Sequence, residues 1–112
     1  MKQFFNSGIA EKFGVNAAII AEYIRSVIKD NEFNRSNLID GRTWMRHSKF
    51  MFTVVMPYLS EYAVDQSLKK LLNGKIIVKN EFNQNRFDRT LWYAFTEYGQ
   101  KLMERSEEDV NE

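Results

Sequence analysis

Apolar side chains recur along the chain at helical spacing, then at alternating spacing, and the changes of period mark the elements. Phe4, Phe5, Ile9 and Phe13 predict a short amphipathic helix over 2–12, closed near Gly14. Asn16 follows as an N-cap, with Val15 and Ile20 placed to form a hydrophobic staple across it. The next helix, about 17–30, pairs apolar positions at 19/20, 23/24 and 27/28. So wide a stripe makes it the central buried helix. The segment "DNEFNRSNLIDG" (30–41) has no period and reads as a long surface loop, with Asp40-Gly41 as its sharpest turn signal. "RTWM" (42–45) fits a short strand.

Ser48 to Met56 is expected as a short helix stopped by Pro57, the single proline. Ser60 caps the helix after it, Leu59 staples to Val64, and Gly74 is the expected left-handed terminator beyond Asn73. The period then drops to two. "KIIVKNEF" (75–82) and "TLWYAFT" (90–96) read as antiparallel strands joined by the polar connection 83–89, longer than a two-residue hairpin turn. Thr96 caps a last helix, "EYGQKLMERS", which is expected to dissolve into an acidic, flexible tail over 104–112.

This order predicts an α+β, helix-rich chain forming one domain over 1–103. A short helix, a turn at Pro57–Leu59 and a capped second helix make a helix-turn-helix, and the hairpin behind it makes a wing. The whole reads as a winged helix-turn-helix: a three-helix core plus a β-hairpin wing, with extra N- and C-terminal helices.

At 100° per residue, Val64, Leu68 and Leu71 define the buried side of the helix over 60–73. The opposite side carries Tyr62, Gln66, Lys69 and Asn73, with Lys70 at its margin. Gln66 suits an adenine edge, Lys69 and Lys70 suit phosphate or guanine, and Tyr62 suits a phosphate oxygen. Glu61 and Asp65 oppose a phosphate backbone, although Glu61 sits where the helix dipole favours a carboxylate and Asp65 lies on a flank. The wing adds Lys79, Asn83, Gln84, Asn85, Arg86 and Arg89, cationic or amide-bearing groups suited to a phosphate backbone or a minor groove. A plain solvated hairpin, with Arg89 paired to Asp88 or Glu81, is the bland reading of the same residues.

Charge sharpens this picture. The chain carries a formal net charge of +1, but residues 104–112 hold five acids and one arginine, leaving +5 on residues 1–103. Six basic residues against two acids fall within 69–89, an excess that attracts polyanions. With 44% hydrophobic and 14% aromatic residues, disorder is not expected. The lack of cysteine excludes disulfides and thiolate metal sites and fits a reducing cytoplasm. No signal peptide, membrane anchor or membrane span is expected. His47 is the single histidine, so a zinc site built on a histidine pair is excluded, and it is expected at a half-exposed turn. Phosphate-binding and nucleophile-elbow motifs are missing, so neither an enzyme nor a cofactor is expected. Trp44, Trp92, Tyr93 and Phe95 are expected to pack rather than to form a base-stacking platform.

"IDGRTWM" (39–45), "PYLSEYAVDQSLKKLLNGKI" (57–76) and "NRFDRTLWYAF" (85–95) resemble, in that order, the N-terminal winged-helix domain of phage replisome organisers and DnaD-like replication initiators of Gram-positive hosts. "GVNAAIIAEYI" (14–24) is similar to the first core helix of that domain. "YAFTEYGQKLMER" (93–105) resembles the strand-to-helix exit of winged-helix regulators of the MarR and PadR type. The resemblance implies double-stranded DNA as the partner, in phage or mobile-element replication or in transcription regulation. Replication proteins are further partners, and the contacts would come from 60–73 and the 83–89 tip. A second class of function is a protein-interaction module or homodimeric adaptor, using aromatic-rich terminal helices that carry Phe4, Phe5, Tyr98 and Leu102.

Overall fold

In a computed structural model that describes residues 6–110, and side chains through Glu104, the first helix begins where its cap dictates. Helix α1 spans Ser7–Phe13, and the Asn6 side chain accepts the Ile9 N–H at its start. Phe4 and Phe5 lie outside the described residues. Gly14, at φ 95°, turns the chain within one residue, so α2 (Val15–Asn34) starts at once. Asn16 therefore lies inside α2 rather than at its cap. Val15 is left exposed, so the expected staple to the buried Ile20 does not form.

Helix α2 buries Ala17, Ala18, Ile20, Ala21, Ile24 and Ile28, as its stripe requires of the central helix. It runs four residues beyond the expected end and stops at Arg35, which adopts the left-handed conformation. The Asn31 amide donates to the Trp44 carbonyl and ties this last turn to the strand layer. Only a short stretch of the expected loop remains irregular. Strands β1 (Leu38–Ile39) and β2 (Arg42–Thr43) pair across Asp40-Gly41, both at positive φ as a tight two-residue hairpin turn requires.

The expected strand over 42–45 is thus divided, because Met45 begins β3 (Met45–Arg46) in a different sheet. Helices α3 (Lys49–Val55) and α4 (Glu61–Asn73) start at Ser48 and Ser60, whose hydroxyls accept the N–H groups of Met51 and Ala63. Leu59 and Val64 are both buried, in keeping with the staple. At the end of α4 the left-handed residue is Lys75, φ 61°, and Gly74 keeps an ordinary right-handed φ of −78°. Gly74 serves another purpose. A Cβ there would stand 2.5 Å from the Phe13 ring, so the glycine is what lets α1 lie against the end of α4.

Strands β4 (Ile77–Asn80) and β5 (Trp92–Phe95) are shorter than expected, and the connection between them is correspondingly longer. They form an antiparallel three-stranded sheet in the order β3-β5-β4, with Met45 opposite Tyr93 and Ile77 opposite Phe95. Thr96 then starts α5 (Glu97–Val110), its hydroxyl accepting the Gly99 N–H. Helix α5 continues into the acidic stretch expected to be flexible. The architecture is helix-rich α+β with small antiparallel sheets.

The core lies between α2, α4 and the sheet. Phe52 and Tyr93 meet edge to face at 6.2 Å, each fully buried and each contributing about 2–3 kcal/mol by removal from water. Burial, and secondarily the Asp65 charge, pushes the Tyr93 phenol up to about 12. Trp44 and Phe95 are buried as well, as expected of packing residues, while Trp92 is half-buried.

Candidate nucleic-acid interface

Helix α4 presents the two faces its sequence requires. Val64, Leu68 and Leu71 are buried, together with Ser67, which the apolar pattern does not mark. Tyr62, Lys69, Lys70 and Asn73 are exposed, and Gln66 is half-buried between the faces. Asp65 is not an isolated negative charge. It accepts from Lys69 at 3.0 Å, one helical turn on, and from Lys49 at the start of α3. Hydrogen bonds from Lys49 and then Lys69 hold its carboxyl below the usual carboxylate range. The Lys49–Asp65–Lys69 cluster is therefore net cationic, which removes much of the objection that a carboxylate on this helix would raise.

The connection between β4 and β5 has no strand ladder of its own, yet it is extensively bonded. Asn83 is the keystone. Its amide nitrogen donates to the carbonyls of Asp88 (2.9 Å) and Thr90 (2.8 Å). Its amide oxygen accepts from the Trp92 indole at 2.8 Å and from Arg46 at 3.2 Å. Asn83 was expected among DNA-contacting groups, but its hydrogen-bonding capacity is spent inside the tip, and it is half-buried. Asp88 takes the second structural role, accepting from the Thr90 N–H and hydroxyl and from the Arg46 guanidinium. These contacts, those of Thr90 first, hold its carboxyl below the usual range.

This frame presents an apex. The Asp88 N–H donates to the Asn85 carbonyl, and the Phe87 N–H to the Asn85 side chain, closing a turn over Asn85–Asp88. Gln84, Asn85, Arg86 and Phe87 are exposed, and the Arg86 guanidinium lies over the Phe87 ring at 4.9 Å. Phe87 is the side chain that pattern reading missed. It sits in a polar stretch with no periodicity to mark it, and its 78% exposure on an otherwise polar tip is visible only in three dimensions. Arg89 is exposed and pairs with Glu81 at 3.3 Å, as the solvated-hairpin reading allowed, and Lys79 projects from β4.

The tip and the helix pair share one opening. The residues His47, Lys49, Glu61, Arg89 and Leu91, among others, line an open cleft of about 400 Å³ between the starts of α3 and α4 and the strand entering β5. His47 is half-exposed at its wall. Its Nδ1 bonds the Arg46 carbonyl, which accepts only, so Nδ1 carries the proton and Nε2 faces the Tyr23 hydroxyl at 2.7 Å. Burial raises the Tyr23 phenol. Among the described residues, no group of three metal-ligating side chains is present, and no helix is long and apolar enough to cross a membrane.

Acid should open the tip before it opens the core. Because the folded Asp88 carboxyl is depressed, its contribution is complete above the unfolded carboxylate value near 4 and is lost as pH falls through the lower folded value. Trp92 fluorescence, reporting on the Asn83 frame, is expected to change in that window while far-UV circular dichroism holds. Coincident changes would show that the tip has no separate acid transition. Compared with known proteins, the chain matches no family model, and no curated protein or solved structure is significantly similar to it.

Proposed function

We propose that this chain is a winged-helix protein that binds double-stranded DNA, with α4 entering the major groove and the 83–89 tip following the backbone into the adjacent minor groove. The order α2, β3, α3, α4, β4, β5 supports the fold reading, since β3 closes the sheet against β5 and leaves the β4–β5 connection to project. The observation that carries the functional reading is the shared opening, in which Lys49 at the start of α3 and Arg89 of the tip flank Glu61 at the start of α4 in one cleft. The N-terminal residues of a recognition helix reach base edges, and cations beside them fix register on the phosphates. Tyr62, Gln66, Lys69, Lys70 and Asn73 would serve from the helix, and Lys79, Gln84, Asn85, Arg86 and Arg89 from the wing. The biological setting that fits the sequence resemblance is phage or mobile-element replication, or transcription regulation.

Arg86→Ala combined with Arg89→Ala tests the wing. Affinity for random duplex DNA at low salt is expected to fall about ten-fold or more, with the slope of log affinity against log salt flattened by about one unit per lost phosphate contact. Both side chains lie at the surface, so the thermal midpoint should hold. An unchanged salt slope would exclude the wing from the interface, and no duplex binding by the parent chain would exclude the reading altogether.

A further inference from the structure

Helix α3 has one satisfied face and one unsatisfied face. Phe52 and Met56 are buried in the core. Phe50, Met51, Val54 and Val55, spaced i, i+1, i+4 and i+5 on the other side, are 65, 44, 55 and 45% exposed, and Tyr58 in the following turn is 68% exposed. Side chains of roughly 150–250 Å² each, exposed to that degree, leave about 500 Å² of apolar surface in water, near the upper end of what a monomer usually shows. From Phe50 through Ser60 no residue is charged. Such a face offers nothing to a phosphate backbone.

We propose that this face joins two copies of the chain in a two-fold dimer, α3 against α3. Three observations select a second copy as the occupant. A neutral stripe meets its own image without like-charge repulsion, as an isologous contact requires. Two such faces bury about 1,000 Å² together, the lower bound for a specific interface. Helix α3 carries one cation, Lys49, so the patch lacks the cationic rim that holds an amphipathic helix on an anionic membrane. An antiparallel crossing puts the middle of the stripe, Met51 and Val54, at the two-fold axis. The contact and the DNA reading share one side chain, Phe50, which also lines the cleft beside α4, whereas Met51, Val54 and Val55 line none of it.

Sedimentation equilibrium of the full chain without DNA tests it. The expected result is a reversible shift from the 13.3 kDa monomer toward twice that mass as concentration rises through the micromolar range. Val54→Asp, at an exposed position, should weaken the association at least ten-fold by setting two carboxylates across the axis, with the far-UV spectrum retained. The chain has no cysteine, so Val54→Cys provides a single reporter that should give a cross-linked dimer on mild oxidation. A monomer at every concentration overturns the proposal. So does a dimer that Val54→Asp leaves equally tight, or one in which the Val54→Cys variant stays uncross-linked.

Discussion

Gly99→Ala is expected to lower the thermal midpoint by about 12 °C or more, a larger loss than alanine should cause at any other glycine of the chain. Gly99 lies in the first turn of α5, directly over the start of the sheet. A Cβ there would stand 2.0 Å from the Ile76 carbonyl oxygen and 2.9 Å from its carbon. Both are backbone atoms, and the oxygen already accepts the Thr96 N–H at 3.0 Å, so no rotamer change relieves the clash. Helix α5 would have to lift away, uncovering Met103 and breaking the Thr96 cap. Overpacking against yielding side chains costs about 1–3 kcal/mol, and against a fixed backbone the loss should reach at least the top of that range. At roughly 4–8 °C per kcal/mol for a domain of this size, the stated shift follows. Gly41→Ala is the control. Gly41 has a positive φ of 78° but nothing within 4 Å of the added carbon, so only the backbone term of about 1–2 kcal/mol applies. Thermal unfolding followed by circular dichroism compares the two, and equal shifts would refute the close-packing account of Gly99.

The second large effect is expected at Asn83, and it should be local. Alanine there removes four hydrogen bonds at once and leaves the Trp92 indole N–H and two backbone carbonyls without their partner. At about 0.5–1.5 kcal/mol net for each bond, the ordered form of the 81–91 connection should lose about 2–6 kcal/mol. The sheet beneath keeps its own ladder, so the global midpoint should move far less than the tip does. Faster amide exchange over 84–90 with β5 still protected is the expected pattern. Weakened duplex binding should accompany it, although Asn83 touches no nucleic acid in the proposed complex, because a disordered tip must first be ordered to bind. Unchanged exchange at the tip would mean that Asn83 is not its keystone.

The features legible in the sequence are those decided within a few residues. The hydroxyl caps at Ser48, Ser60 and Thr96, the stop before Pro57 and the buried stripe of α4 all depend on local spacing, and the structure reproduces them. Errors arose where a distant partner decides. Helix α2 continues past 30 because its final turn is anchored by Asn31 to Trp44, which a window over 30–41 does not reveal. Gly74 ends the helix as expected but not by a left-handed turn, which Lys75 makes instead, and the ring that its missing Cβ accommodates belongs to α1. The sequence reads the tip as polar and projecting, which Gln84 to Arg86 are, whereas Phe87 projects and is apolar. Asn83 and Asp88 brace the tip through Thr90 and Trp92 and also through Arg46, far back in the chain. In a stretch without periodicity, an amide that braces and an amide that waits for a ligand look the same.

The division of labour within the tip has an evolutionary consequence. Its foundations are held by Asn83, Asp88, Thr90 and Arg46, and its summit turn by Asn85, whereas the side chains of Gln84, Arg86 and Phe87 support none of that scaffolding. Those three positions are free to drift under selection for a new target while the loop that displays them keeps its shape. A library randomised at 84, 86 and 87 should accordingly yield well-folded members throughout, differing in what they grip.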